Sequence, residues 1–527
     1  MYPSIFNDVL GPVMRGPSSS HCAAALRIGR LCNDLMDGKI EQVDIGFDEL
    51  GSLATTHRSQ GSDMGLFGGF LGWTADDERL PGYEAAIDRH GIQIHINIGP
   101  YGDEHPNTYR LSLRGGESDH EVIAISVGGG MIEVQEIDGC EVSMAGDFFE
   151  ILAYGESLSE ARLFAESAFP EAELFDRVGD RSYLHIRTTS APSEALLSEL
   201  GQHPQVQKAV LLRPVLPILS RRDVTVPFRT AKEMLDYNDK HELEFWQLAL
   251  RYESIRGNIS EEEVYEKMNG LVDVMQHSIE TGLAGTTYRD RILPDQSKSF
   301  AKSMTDGRLL AGDTLNTIVL YVSAIMEVKS SMGVIVAAPT AGACAALPGA
   351  VVGAVKSMDA DRDQAIKAML AAGLIGVFIA EQASFAAEVG GCQAECGSGS
   401  CMAAGALVQL MGGTVEQALS AASQALQNSL GMICDPIANR VEAPCLGKNV
   451  MAASNALSCA NMGLANYNHL IPLDQVIQTM ARVSEQMARE LRCTALGGLA
   501  ITQAAKDIEA ALGNESLSTA AGRFKIC

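Results

Sequence analysis

Basic residues are scarce in this chain: 40 Lys and Arg stand against 66 Asp and Glu, a formal net charge of -26 over 527 residues. Nucleic acids and anionic membranes attract basic surfaces, so neither is an expected partner. Long apolar runs are also missing. TIVLYVSAIM and AAGLIGVFIAEQASFAA come nearest. Each is interrupted by Glu, Gln, Lys or Gly-Pro before the roughly 18 to 20 residues that crossing a bilayer needs. Both read as buried core helices. The start, MYPSIFNDVLGPVMRGPSSSH, lacks a basic stretch followed by an apolar one, so no secretion signal is read there and a cytoplasmic protein is expected. No internal repeat or low-complexity segment is found. Twelve cysteines are too sparse for a disulfide scaffold in a chain this long.

Those cysteines are unevenly placed. Cys22, Cys32 and Cys140 precede residue 300, whereas Cys344, Cys392, Cys396, Cys401, Cys434, Cys445, Cys459, Cys493 and Cys527 follow it. The length implies several domains. Residues 1–152 mix short β-branched runs (VDIGF, IQIHINIG, VIAISVGGGMIEVQEI) with one amphipathic helix, CAAALRIGRLCNDLM, and predict an α+β domain. In residues 153–222, SYLHIRTT reads as a strand, SEALLSELGQH as a helix and VQKAVLLRPV as a second strand, the pattern of an ACT-like βαβ unit. Residues 223–527 carry long Ala-, Leu- and Met-rich helices broken by glycine, and predict an all-α domain.

The densest chemical signal is GGCQAECGSGSCMAAGALVQLMGG followed by QNSLGMICDPIANRVEAPCLGKN. Cys434 precedes Asp-Pro, Cys445 follows Ala-Pro and Cys392 sits in a Gly-Gly-Cys turn, so all three stand at helix breaks that can aim a sulfur at a shared centre. Any one of them alone reads more simply as a small buried hydrophobe. Together they favour a metal site. Their spacing lacks the short clips of zinc ribbons, and His241, His277 and His469 show no ligand spacing, which favours iron-sulfur over zinc.

Seven further stretches stand in one order: GPSSSH at 16–21, GSLATTHRSQGSD at 51–63, EHPN at 104–107, PFRTAKEML at 227–235, SMGVIVAAPTAGA at 331–343, GGCQAE at 390–395, and the CDP and PC pair. With them the chain resembles the iron-sulfur-dependent L-serine dehydratases (L-serine ammonia-lyases), nearly end to end. The resemblance implies that Cys392, Cys434 and Cys445 hold a 4Fe-4S cluster whose fourth iron is open to an amino-acid substrate. It also implies that Cys527 caps that iron in the resting, single-chain enzyme and is displaced by substrate. The loop bearing Ser18, Ser19, Ser20 and His21 then reaches the active site from outside the helical domain, with His21 as a candidate for proton transfer; read plainly, Ser19 or Ser20 is only a helix cap. His105 and Asn107 resemble a regulatory or substrate-sensing site in an allosteric-substrate-binding fold, or else a plain turn.

Around the cluster, Thr340, Ala341 and Gly342 form a turn at a helix start suited to a carboxylate, and Asn428 and Asn449 are candidate polar contacts. Five positions depart from the family pattern. Cys22 replaces a usual threonine, Gln60 a frequent histidine and Cys493 a usual glutamate, while Cys396 and Cys401 are extra. Since glutamine cannot titrate, His57 is the candidate substitute. The expected activity is β-elimination of water from L-serine to pyruvate and ammonia by a homodimer without pyridoxal phosphate. The alternatives are the same chemistry on L-cysteine or another hydroxy amino acid, or a non-catalytic iron-sulfur sensor.

Overall fold

The computed structural model describes residues 2–517 apart from 117, 222 and 223; Cys527 therefore lies outside the described residues. A six-stranded sheet comes first, in the order Gln93–Gly99, Gln42–Asp48, Thr108–Gly115, Ser118–Gly128, Met131–Ile137, Cys140–Met144. The first pair is parallel and the rest are antiparallel. Strand periodicity places Tyr109, Leu111 and Leu113 on one face with Val43, Ile45 and Phe47 of the neighbouring strand. The helix Ala24–Leu35 covers that face with Ile28, Leu31, Cys32 and Leu35.

A second helix, Ser62–Phe70, crosses Ala24–Leu35 at backbone contact. Glycines make this possible: a Cβ on Gly65 would lie 1.9 Å from the Cys22 carbonyl oxygen, and one on Gly69 would lie 2.3 Å from that of Leu26. The crossing brings the loop before one helix beside the loop before the other. Thus 16–21 and 51–63, distant in sequence, become neighbours.

The second sheet has the order Lys208–Leu212, Phe149–Tyr154, Tyr183–Thr188, Glu173–Arg177, antiparallel throughout. Its helices, Ser159–Ala168 and Glu194–Gly201, bury Ala161, Ala165 and Leu200 against Ile151, Ala153, Leu184 and Ile186. This unit begins at Phe149, inside the 1–152 segment expected for the first domain.

The remainder is helical, around Asp313–Ser330, Ala346–Met358, Arg362–Gln382, Ser398–Leu410, Val415–Gln427 and Cys445–Leu464. The expected all-α domain does contain one two-residue strand, Ile335–Val336, which pairs antiparallel with Val13–Met14. Arg362–Gln382 is apolar nearly all round, which suits a helix enclosed on every side. By length and composition alone, Ala341–Met358 and Arg362–Gln382 could cross a membrane, yet 78% of each window is buried inside the protein. The N-terminal turn Ile5–Val9 packs into the groove of Arg362–Gln382, where a Cβ on Gly376 would lie 2.1 Å from Val9. Asn7 fastens it: its amide donates to the Ile218 carbonyl at 2.7 Å and accepts from the Ile218 N–H at 3.0 Å.

Candidate active site

Of the three expected cysteines, Cys392 and Cys434 come together from different segments, and Cys445 lines the same small cavity as Cys434. Gly391, at φ +70°, turns the chain so that Cys392 starts a wide helical turn, Gln393–Gly397; a side chain at 391 would strike Met487 and the Met432 carbonyl. Cys434 lies in an irregular stretch held by hydrogen bonding to 491–493: its N–H donates to the Leu491 carbonyl at 2.8 Å. Cys445 is the first residue of Cys445–Leu464. Neighbouring Cys392 and Cys493, together with burial, push the Cys434 thiol's pKa well up. Burial does the same to Cys445, opposed by the Lys329 ammonium. The sulfurs of Cys392 and Cys434 and an oxygen of Glu395 all lie within 4.8 Å of one another. Lys448 supplies a cation beside them, 3.7 Å from Cys392 Sγ and paired with Asp435 at 2.6 Å.

Above the thiols stands a chain of hydroxyls, an imidazole and a carboxylate. Ser18 and Ser20 lie 3.1 and 3.2 Å from His21 Nδ1, and the Ser20 hydroxyl donates to Glu388 Oε1 at 2.6 Å. His21 Nε2 meets Thr56 Oγ1 at 2.8 Å. Ser18, at the N-cap of the turn Ser19–Ala23, makes no side-chain cap hydrogen bond. Burial lowers the His21 pKa, against the pull of Glu388. Glu388 Oε2 is buried without a hydrogen-bond partner among the described residues. Ser18, Gln60, Glu388, Glu395, Cys434, Cys445 and Cys493 line a small cavity of about 10 Å3, space for about one water.

The turn at Thr340 closes one side. Thr340 Oγ1 donates to Glu395 Oε1 at 2.7 Å, and the Ala341 N–H donates to Ser19 Oγ at 3.2 Å. Gly342 lies against Glu395, where a Cβ would sit 2.7 Å from the carboxylate oxygen. Burial pushes the Glu395 carboxyl up to about 7, with Thr340 opposing and Glu388 reinforcing. Asn449 is wholly buried and fully engaged. Its amide donates to the carbonyls of Gly342 and Cys445 at 2.7 and 2.9 Å and accepts from the N–H groups of Ala345 and Ala346, tying two helix starts together.

Other expected residues lie elsewhere. Asn428 is exposed, and its amide donates to Asn455 at 2.8 Å. His57 faces a separate cleft of about 600 Å3 and is bonded to Asp63 at 2.7 Å, whereas Gln60 faces the thiol cavity. His105 accepts from the Asn107 N–H at 3.2 Å; burial lowers its pKa, and Glu388 is the first charge opposing that shift. Asn107 is fully buried with both amide atoms unpartnered.

Sequence reasoning passed over Glu388, Glu395, Lys448 and Lys329. The first two were signalled by carboxylates flanking a Gly-Gly-Cys turn in an otherwise apolar stretch. Lys329 was signalled by a lone cation near the end of an apolar helix, and it is buried with an unpartnered ammonium.

The family model "Serine dehydratase alpha chain" matches residues 240–500, the part that holds all these thiols. "Probable L-serine dehydratase, alpha chain" of Bacillus subtilis is 34% identical over 298 residues, 56% of this chain and 99% of the relative. "L-serine dehydratase, alpha chain" of Peptoniphilus asaccharolyticus is 39% identical over 272 residues, 51% of this chain and 93% of the relative. "L-serine dehydratase" of Streptomyces coelicolor is 34% identical over 283 residues, 52% of this chain and 61% of the relative. Two relatives are thus covered almost whole by about half of this chain, and on that ground the chain belongs to the serine dehydratase alpha-chain family.

Proposed function

We propose that this protein is an iron-sulfur-dependent L-serine ammonia-lyase, releasing pyruvate and ammonia from L-serine. The observation that carries the reading is the meeting of Cys392, Cys434 and Cys445 with Glu388, Glu395 and the His21 network in one buried place. The donor set suits a cluster: adjacent buried thiols ionise only when a cation stands among them, and Lys448 and Lys329 already offset part of the thiolate charge. A 4Fe-4S cluster held by Cys392, Cys434 and Cys445 supplies a Lewis acid toward the substrate's β-hydroxyl.

The chain's own groups do the rest. Glu388 Oε2 takes the α-proton, while Ser20 and His21 fix the carboxylate through Oε1. A neutral His21 and the Thr56 hydroxyl extend this path away from the thiols. The turn of Thr340, Ala341 and Gly342 orients the substrate, and the cavity is small enough to admit only about one water before it binds. The resulting enamine tautomerises and hydrolyses without further help. Asn449 acts by positioning the Thr340 turn and Cys445. The first sheet supplies an allosteric-substrate-binding-like unit with His105 and Asn107, and the second an ACT-like one. The homodimer and the capping role of Cys527 belong to the same proposal.

Anaerobic reconstitution tests it, with iron and sulfide analysis followed by 2-oxo acid assays on a panel of amino acids. Pyruvate from serine is expected. Sulfide from cysteine at a higher kcat/KM would reassign the substrate, and a loaded cluster with no turnover would make the protein a sensor. Replacement of Cys434 by serine should abolish iron binding and activity together; a fully active variant would remove it from the ligand set.

A further inference from the structure

Two of the sequence's departures touch each other at the thiol cavity: Gln60 Nε2 donates to Cys493 Sγ at 3.4 Å. We propose that Cys493 is a fourth protein sulfur donor to the metal centre, a reading that rests on the iron-sulfur function proposed above. Cys493 packs with Cys392 and Cys434 in one buried cluster, 4% exposed. Its thiol lines the same cavity as Cys434 and Cys445.

The backbone is held to put it there. The Cys493 N–H donates to the Cys434 carbonyl at 3.3 Å, and Arg492 pairs with Cys434 in a short parallel bridge. Cys493 has φ +49°, a left-handed conformation that residues with a side chain rarely adopt and that clusters at functional sites. A cysteine needed only for packing gains nothing from this conformation. A cysteine needed for its sulfur does, because the turn aims the thiol at Cys392 and Cys434. The Gln60 amide suits a sulfur carrying negative charge, since hydrogen bonds to the sulfurs tune such clusters.

The exchange balances without electron transfer. Binding replaces the S–H bond of Cys493 by an iron-sulfur bond and releases one proton; an entering substrate oxygen displaces the thiolate, which takes a proton back. Cys493 thus closes the coordination position that substrate needs whenever the Cys527 thiolate does not hold it.

The test is 57Fe Mössbauer spectroscopy of anaerobically loaded protein without substrate, comparing the wild type, Cys527→Ala, and Cys527→Ala combined with Cys493→Ala. The expected result is that Cys527→Ala keeps every iron in sulfur coordination, whereas the double variant shows one iron with oxygen or nitrogen coordination and binds L-serine more tightly. Identical spectra from the single and double variants at equal iron content would overturn the proposal. Should the double variant load no iron, Cys493→Ser in the Cys527→Ala background decides: an oxygen-coordinated iron supports the assignment and an all-sulfur spectrum refutes it. Wild-type protein that binds no iron would defeat the functional reading itself, and this inference with it.

Discussion

Glu388 is the residue on which the polar chain above the thiols converges, with one oxygen spoken for by Ser20 and the other buried and bare. Glu388→Gln keeps the shape and removes the base, so kcat should fall by about 10²- to 10⁴-fold while iron content is unchanged, measured as pyruvate formed per loaded cluster. His21 carries a pH signature. Burial holds its pKa below the ordinary 6.5, so the unfolded chain binds that proton more readily than the folded one. Its stability contribution is whole above about pH 6.5 and declines as pH falls below that value. In His21→Gln this loss is absent, and the gap in unfolding free energy between wild type and variant should narrow as urea titrations move from about pH 7 to about pH 5. The cysteines stood out in the sequence because they sit at Gly and Pro breaks, whereas GPSSSH stood out through the family resemblance alone, its serines reading plainly as helix caps. Glu388, Glu395 and Lys329 were not, since an acidic or basic residue in a helix normally reads as a solvated face, and only tertiary burial reverses that. Asn449 was legible as a polar contact, but its bonds to two helix starts depend on chain segments more than a hundred residues apart.

The crossing of Ala24–Leu35 with Ser62–Phe70 carries the site's geometry from element to element. Gly69→Ala forces a methyl into the Leu26 carbonyl, where only 2.3 Å is available. It should cost about 1–3 kcal/mol in chemical unfolding and lower activity further, because the separated helices no longer hold Ser18–His21 over Glu388. Element type was more readable than element position: β-branched runs marked four strands of the first sheet, and Ala-, Leu- and Met-rich stretches marked the last domain as helical without placing its individual helices, while Ser62–Phe70 was not read. Partnership was not readable. Phe149–Tyr154 follows the last strand of the first sheet closely in sequence yet pairs with Tyr183–Thr188 and Lys208–Leu212, a choice made by non-local contacts. Strands of two residues, such as Ile335–Val336, leave no period to detect.

At the scale of the whole molecule, sequence order and structural neighbourhood diverge. The N-terminal segment forms part of the helical core, sealed by Asn7 and by the carboxylate of Glu253, which accepts from the Ile5 N–H at 2.8 Å. Asn7→Ala would strand the polar backbone of Ile218 in that core, and a loss of about 1–3 kcal/mol is expected from thermal or urea unfolding. The metal centre proposed above belongs to this scale too, because Cys392, Cys434 and Cys445 come from three separate segments. Chelating the iron should lower the thermal midpoint of the wild type and leave that of Cys434→Ser unmoved, read by calorimetry under anaerobic conditions. The docking of Ile5–Val9 into the groove of Arg362–Gln382 also has a consequence for biosynthesis. A ribosome adding about 5–20 residues per second completes that groove on the order of tens of seconds after the first turn has left the exit tunnel. Throughout that interval the nascent chain carries an unsheltered apolar start, a natural point of engagement for chaperones.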